Sequence, residues 1–95
     1  MANYELMMIL NPEAGEQSLK ASVDGVEKLL KAAKVKGLKK DEWGEKKLAY
    51  KIKGSETGVY TLWTMELDGK GLKAMTTPMN LDEHIWRYMF VNLDA

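Results

Sequence analysis

The sequence predicts an α+β domain with a four-stranded antiparallel sheet and two helices on one face. Three observations carry this. Segments of strand length and segments of helical period follow one another as strand, helix, strand, strand, helix, strand. The two middle strand segments are joined by a glycine-bounded stretch, residues 54–58 (GSETG), which makes them a hairpin. The chain has 95 residues, and a chain of that size buries roughly 65% of its unfolded surface, enough for one core. A single domain over residues 1–95 is therefore expected.

Residues 4–10 (YELMMIL) form the first strand, an apolar run stopped by the turn dipeptide Asn11-Pro12. Over residues 16–34, Leu19, Val23, Val26, Leu30 and Ala33 recur at alternating steps of four and three. That period makes one buried helical stripe, with Lys20, Asp24, Glu27, Lys28 and Lys31 toward solvent. Gly25 within it costs about 1 kcal/mol relative to alanine. Residues 37–53 read as a long second strand, with a bulge expected at Gly44. Residues 59–67 (VYTLWTMEL) alternate as the third strand. A second helix opens at Asp68 or Gly69 and places Leu72, Met75 and Met79 on one face, and Pro78 should end or distort it. Residues 84–91 (HIWRYMFV) close the chain as an apolar strand. Two such strand–helix–strand halves make a ferredoxin-like βαββαβ arrangement. Its sheet order is fourth, first, third, second strand, so the second and fourth strands are edges.

A sheet covered on one face should alternate apolar and polar residues, and these strands do not alternate cleanly. Whichever face meets the helices, the other keeps an apolar patch drawn from Met7, Ile9, Leu62, Met89 and Val91. Leu48, Tyr50 and Ile52, at alternate positions of the hairpin, extend one of the two faces. A contiguous exposed apolar patch marks an interaction surface, although small domains also leave single apolar side chains in water.

Lysine plus arginine equals aspartate plus glutamate, 14 each, so no global field draws the chain onto nucleic acid. The charge is uneven, however. Residues 34–53 hold eight lysines against three acidic residues, a net +5, and the remainder is net −5. Lysine on an edge strand either blocks edge-to-edge pairing or contacts phosphate, and composition leaves both open for Lys46 and Lys47. Arg87, the single arginine, sits between Trp86 and Tyr88. A cation beside aromatics suits RNA, by stacking and phosphate contact; the other reading is a strand arginine reaching to solvent.

Enzymatic chemistry finds no foothold. There is no cysteine, and His84 is the only histidine, so neither a disulfide nor a typically spaced zinc site is expected. G-x-S-x-G and the phosphate-loop pattern are both absent, and Gly69-Lys70-Gly71 is too short to cradle a phosphate. No run of 18 apolar residues exists, and the amino terminus lacks a basic region leading into an apolar stretch. No membrane span, secretory signal, cofactor, metal or small-molecule substrate is expected, and a cysteine-free chain fits a reducing cytoplasm.

Several motifs carry a resemblance. They are Asn3-Tyr4-Glu5-Leu6-Met7 with Ile9-Leu10-Asn11-Pro12, then Trp43-Gly44-x-Lys46-Lys47-Leu48-Ala49-Tyr50-x-Ile52, then Gly58-x-Tyr60, and finally Arg87-Tyr88-x-x-Val91. In this order and spacing the chain resembles the S-six family of bacterial small-subunit ribosomal proteins over essentially its whole length. The block from Gly44 to Tyr50 is the specific part. The resemblance implies a ferredoxin-like fold and a structural role. It also implies a cytoplasmic, ribosome-bound protein that binds the central domain of small-subunit ribosomal RNA together with the S-eighteen ribosomal protein. By matching position it implies Asn3, Tyr4 and Arg87 near RNA, and Leu48, Tyr50, Leu62 and Met89 toward the protein partner. Trp86 beside Arg87 joins the RNA candidates and Val91 the protein ones, while Lys46 and Lys47 fit either RNA or edge protection. Where the family commonly has arginine before Leu48, this chain has lysine, which lacks the planar two-donor fork. Where the family often has proline after Tyr50, this chain has Lys51.

The same fold admits two other readings. An enzyme of the acylphosphatase kind wants an arginine in a phosphate-cradling loop near the amino terminus, whereas Arg87 lies in the last strand. A ligand-sensing or oligomerising module would pair through the open sheet face.

Overall fold

The computed structural model describes residues 2–94; Met1 and Ala95, the ends of the expected domain, lie outside the described residues. The elements are β1 (Ala2–Leu10), α1 (Glu16–Ala32), β2 (Lys36–Ile52), β3 (Ser55–Leu67), α2 (Gly69–Leu81) and β4 (Ile85–Asn92). The strands form one antiparallel sheet in the order β2-β3-β1-β4. This is the expected βαββαβ topology, with β2 and β4 at the edges.

One face of the sheet is closed by both helices. Leu6, Met8 and Leu10 of β1 and Trp63, Met65 and Leu67 of β3 meet Val23, Val26 and Leu30 of α1 and Met75 and Met79 of α2. Trp63, at the centre, is fully buried. Full burial of a side chain of this kind stabilises the fold by about 1.5–3 kcal/mol. At the β2 edge, Lys40 Nζ reaches across to Glu27 Oε1 of α1 at 2.8 Å. Lys40 holds the Glu27 carboxyl below its ordinary range, and Glu27 in turn raises Lys40. The buried Trp63 indole N–H also lowers Glu27 slightly, although it makes no hydrogen bond of good geometry.

β1 begins two residues before the expected start, β2 runs one residue earlier and β4 one residue later than expected, and three further departures have a clear local cause. Helix α1 ends at Ala32, short of Lys34, because Lys34 turns left-handed at a φ of 58°. Lys34 N–H then donates to Lys31 O at 3.0 Å and Val35 N–H to Leu30 O at 3.3 Å, closing the helix end. The hairpin loop is a tight turn at Lys53 and Gly54, with φ of 51° and 82°, so β3 already begins at Ser55. Two positive φ values in a two-residue loop match the twist of the flanking strands. Finally, α2 runs through Pro78 to Leu81. Met79 is buried on the core, and Tyr88 Oη donates to Asn80 Oδ1 at 2.6 Å, so tertiary contacts hold the last turn despite the lost backbone donor.

Candidate protein and RNA interface

Among the described residues the second face of the sheet carries no helix. β1 presents Glu5, Met7 and Ile9 there; β3 presents Tyr60, Leu62, Thr64 and Glu66; β4 presents Arg87, Met89 and Val91. Opposing pairs such as Met7 with Leu62 and Met89 stack the apolar side chains across three strands. Met89 is 51% exposed, while Met7, Leu62 and Val91 are half-buried. The centre of this face is thus apolar and open, as expected from the broken alternation.

The hairpin end is different. From Lys47, opposite Thr57, to Ile52, opposite Ser55, β2 advances five positions while β3 advances two. The slack lets Leu48 and Ile52 turn inward onto Ile9, forming a small buried cluster backed by Tyr60 and Trp86. Gly58 makes room for it, since a Cβ there would lie 2.6 Å from Ile9 Cγ2 and 3.3 Å from Leu48 Cδ2. The alternating set Leu48, Tyr50, Ile52 is therefore divided. Leu48 and Ile52 are buried and hold the hairpin down, while Tyr50 points away and is 67% exposed. Of the residues expected to face a protein partner, Leu48 is largely buried, whereas Tyr50, Leu62, Met89 and Val91 offer free surface.

The residues expected near RNA fall into two groups. Lys46, Lys47, Arg87 and Trp86 lie toward the hairpin end, where Lys46 is opposite Gly58 and Arg87 opposite Ile9. Trp86 is the extra residue of a register shift in β4, and it packs against the Ile9 cluster instead of projecting free. Arg87 is exposed, and its Nη1 donates to Trp86 O at 2.9 Å. Among the described residues Arg87, Lys46 and Lys47 have no acidic partner within ion-pair distance. Asn3 is six residues along β1 from Ile9, about 20 Å at strand rise. Asn3 N–H donates to Asp94 Oδ2 at 2.8 Å and its Nδ2 to Asp94 Oδ1 at 3.2 Å. The backbone bond, then the amide bond, hold the Asp94 carboxyl below its ordinary range. Tyr4 is on the helix side, packed against the core. Asn3 and Tyr4 thus do not join the cations of the hairpin end.

Sequence reasoning missed Trp43. Gly44, at a φ of 76°, takes the bulge expected there, and Trp43 is the extra residue between Glu42, opposite Thr61, and Gly44, opposite Tyr60. Trp43 is 46% exposed, with its ring 6.3 Å from the Tyr60 ring, in a hollow also lined by Lys46 and Lys47. The signal was the pair Trp43-Gly44 inside the otherwise polar run of residues 39–47 of β2.

Among the described residues no group of three histidine, cysteine or acidic side chains could hold a metal ion, and no helix is long and apolar enough to cross a membrane. Residues 3–92 match the family described as ribosomal protein S6. The chain belongs to the ribosomal protein S6 family. The small ribosomal subunit protein bS6 of Fusobacterium nucleatum is 37% identical over 94 residues, covering 99% of this chain and all of that one. Its counterpart in Flavobacterium johnsoniae is 35% identical over 99% of this chain and 83% of the relative. The crystal structure of 30S ribosomal protein S6 from Thermotoga maritima superposes with a TM-score of 0.86 at 26% identity, covering 96% of this chain and 86% of that one. The C-terminal domain of the MgtC protein from Mycobacterium tuberculosis, at 8% identity and a TM-score of 0.59, shares the fold alone. Members of the S6 family are structural components of the small ribosomal subunit, not enzymes. That places this chain on the ribosome in the cytoplasm, and it leaves the acylphosphatase reading without support.

Proposed function

We propose that this chain binds the central domain of small-subunit ribosomal RNA jointly with the S-eighteen ribosomal protein, and so supports subunit assembly. The observation that carries the reading is the division of the open face. An exposed apolar centre suits a protein partner, and beside it Lys46, Lys47 and Arg87 have no acidic partner within ion-pair distance among the described residues. Tyr50, Leu62, Met89 and Val91 serve the protein contact, with Leu48 supporting the hairpin from beneath. Lys46, Lys47 and Arg87 serve the phosphates, and Trp86 sets the position of Arg87. Asn3 and Tyr4 serve a separate RNA contact at the far end of β1, for which Asp94 must release Asn3. A neutral chain gains little RNA affinity from its overall field, so joint binding is favoured over binding alone.

The test is binding to a central-domain transcript with and without the S-eighteen protein. The proposal expects tight, salt-sensitive binding only when the companion is present. A chain that binds neither the transcript nor the companion, and instead forms a concentration-dependent dimer in sedimentation, would support an oligomerising module instead.

A further inference from the structure

Three features fix Trp43 in an exposed position. It is the extra residue of a bulge, standing outside the ladder between the Glu42–Thr61 and Gly44–Tyr60 pairs. Gly44 supplies the left-handed backbone, at a φ of 76°, that the bulge needs. The indole Nε1 donates to Asp41 Oδ2 at 2.9 Å, which sets the direction of the ring. The fold does not need Trp43 inside, for it belongs to neither apolar cluster. A bulge re-aims a side chain, and here it aims a large flat one at solvent.

The ring is tilted 39° from that of Tyr60 with 6.3 Å between centroids, so the two are not stacked face to face, and Trp43 is 46% exposed. With Lys46 and Lys47 the two rings line an open hollow of about 510 Å³. Neither lysine has an ion-pair partner among the described residues. An aromatic plane takes any base face, and adjacent cations take its phosphate. A single protein side chain is either apolar, answering the ring wall, or acidic, answering an ammonium group, whereas one nucleotide carries both a flat base and a phosphate.

We propose that this hollow seats one unpaired RNA base, stacked on Trp43, with its phosphate on Lys46 or Lys47. The proposal rests on the RNA-binding reading above and adds a residue that charge alone does not indicate. Asp41 is then a positioning residue that holds the indole and does not touch the RNA.

The experiment measures affinity for the central-domain transcript, with the S-eighteen protein present, across a salt series. The expected result is that Trp43→Leu weakens binding about tenfold with an unchanged salt slope, because stacking is not ionic. Trp43→Phe should restore most of the affinity. Lys46→Ala should weaken binding and make the salt slope shallower by about one phosphate. An unchanged thermal midpoint in each variant keeps the comparison free of folding effects. Wild-type affinity in Trp43→Leu overturns this proposal alone. So does a loss confined to pairing with the S-eighteen protein measured without RNA, since the hollow then belongs to the protein contact. Failure of the unaltered chain to bind the transcript removes both this proposal and the reading beneath it.

Discussion

The two faces of one sheet are built from the same strands at alternate positions, yet they differ in what covers them. On the helix face, Leu6, Trp63 and Phe90 find their neighbours within the chain. On the open face, Met7, Leu62 and Met89 line up with one another across three strands and find no second layer. Apolar side chains on the first face hold the fold, whereas those on the second contribute little unless something else covers them. The difference shows which side chains serve stability and which are free to serve assembly.

Substitutions can break that comparison. On the helix face, Trp63→Ala should cost about 3–5 kcal/mol and leave a protein near its unfolding threshold, read by chemical denaturation. A loss below about 1 kcal/mol would mean the centre of the core is elsewhere. The hairpin corner is intermediate, because it is a small core on the open side. Gly58→Ala should cost about 1–3 kcal/mol there by pushing a Cβ against Ile9 and Leu48. On the hairpin, where Tyr50 projects away from the buried Leu48 and Ile52, Tyr50→Asp should leave stability within about 0.5 kcal/mol yet weaken capture of the S-eighteen protein in a pull-down. Undiminished capture would remove Tyr50 from the contact. Arg87→Ala should also spare the fold, and it should lower the salt dependence of RNA binding by about one phosphate.

The smallest effect is electrostatic and belongs to the helix face. Glu27 has a lowered pKa through Lys40, so the charged carboxylate is favoured in the folded state. Its contribution is present above its ordinary value near 4.5 and is lost as pH falls through the lower folded value. Both side chains are partly exposed, so the pair contributes about 0.5 kcal/mol. Glu27→Gln should therefore remove a small acid-dependent loss of stability, measured by urea unfolding at pH 7 and pH 3.

The fold was legible because periodicity reports burial directly. Leu19, Val23, Val26 and Leu30 mark the inward stripe of α1, and the glycines near residue 54 mark the hairpin. Pro78 does not end the helix, because Met79 and the Tyr88–Asn80 hydrogen bond hold the last turn from outside it. The site was less legible for a related reason. Alternation assigns Leu48 and Tyr50 to the same face, but the irregular pairing between Lys47 and Ile52 breaks the parity. The bulge at Trp43 does the same within β2. The Asn3–Asp94 contact joins residues 91 positions apart, beyond the reach of any local pattern.

The methionines give the most direct test of the central claim, that the open face is covered by partners while the helix face is covered by the chain itself. Met89 lies on the first, and Met8, Met65, Met75 and Met79 are buried behind the second. Methionine oxidation by peroxide, followed by peptide mass, reports access to each. In the free protein Met89 should oxidise fastest by far among the described methionines. In assembled small ribosomal subunits its rate should fall toward that of the four buried methionines, which should stay slow throughout. A Met89 that oxidises as fast in the subunit as in the free chain would contradict the account.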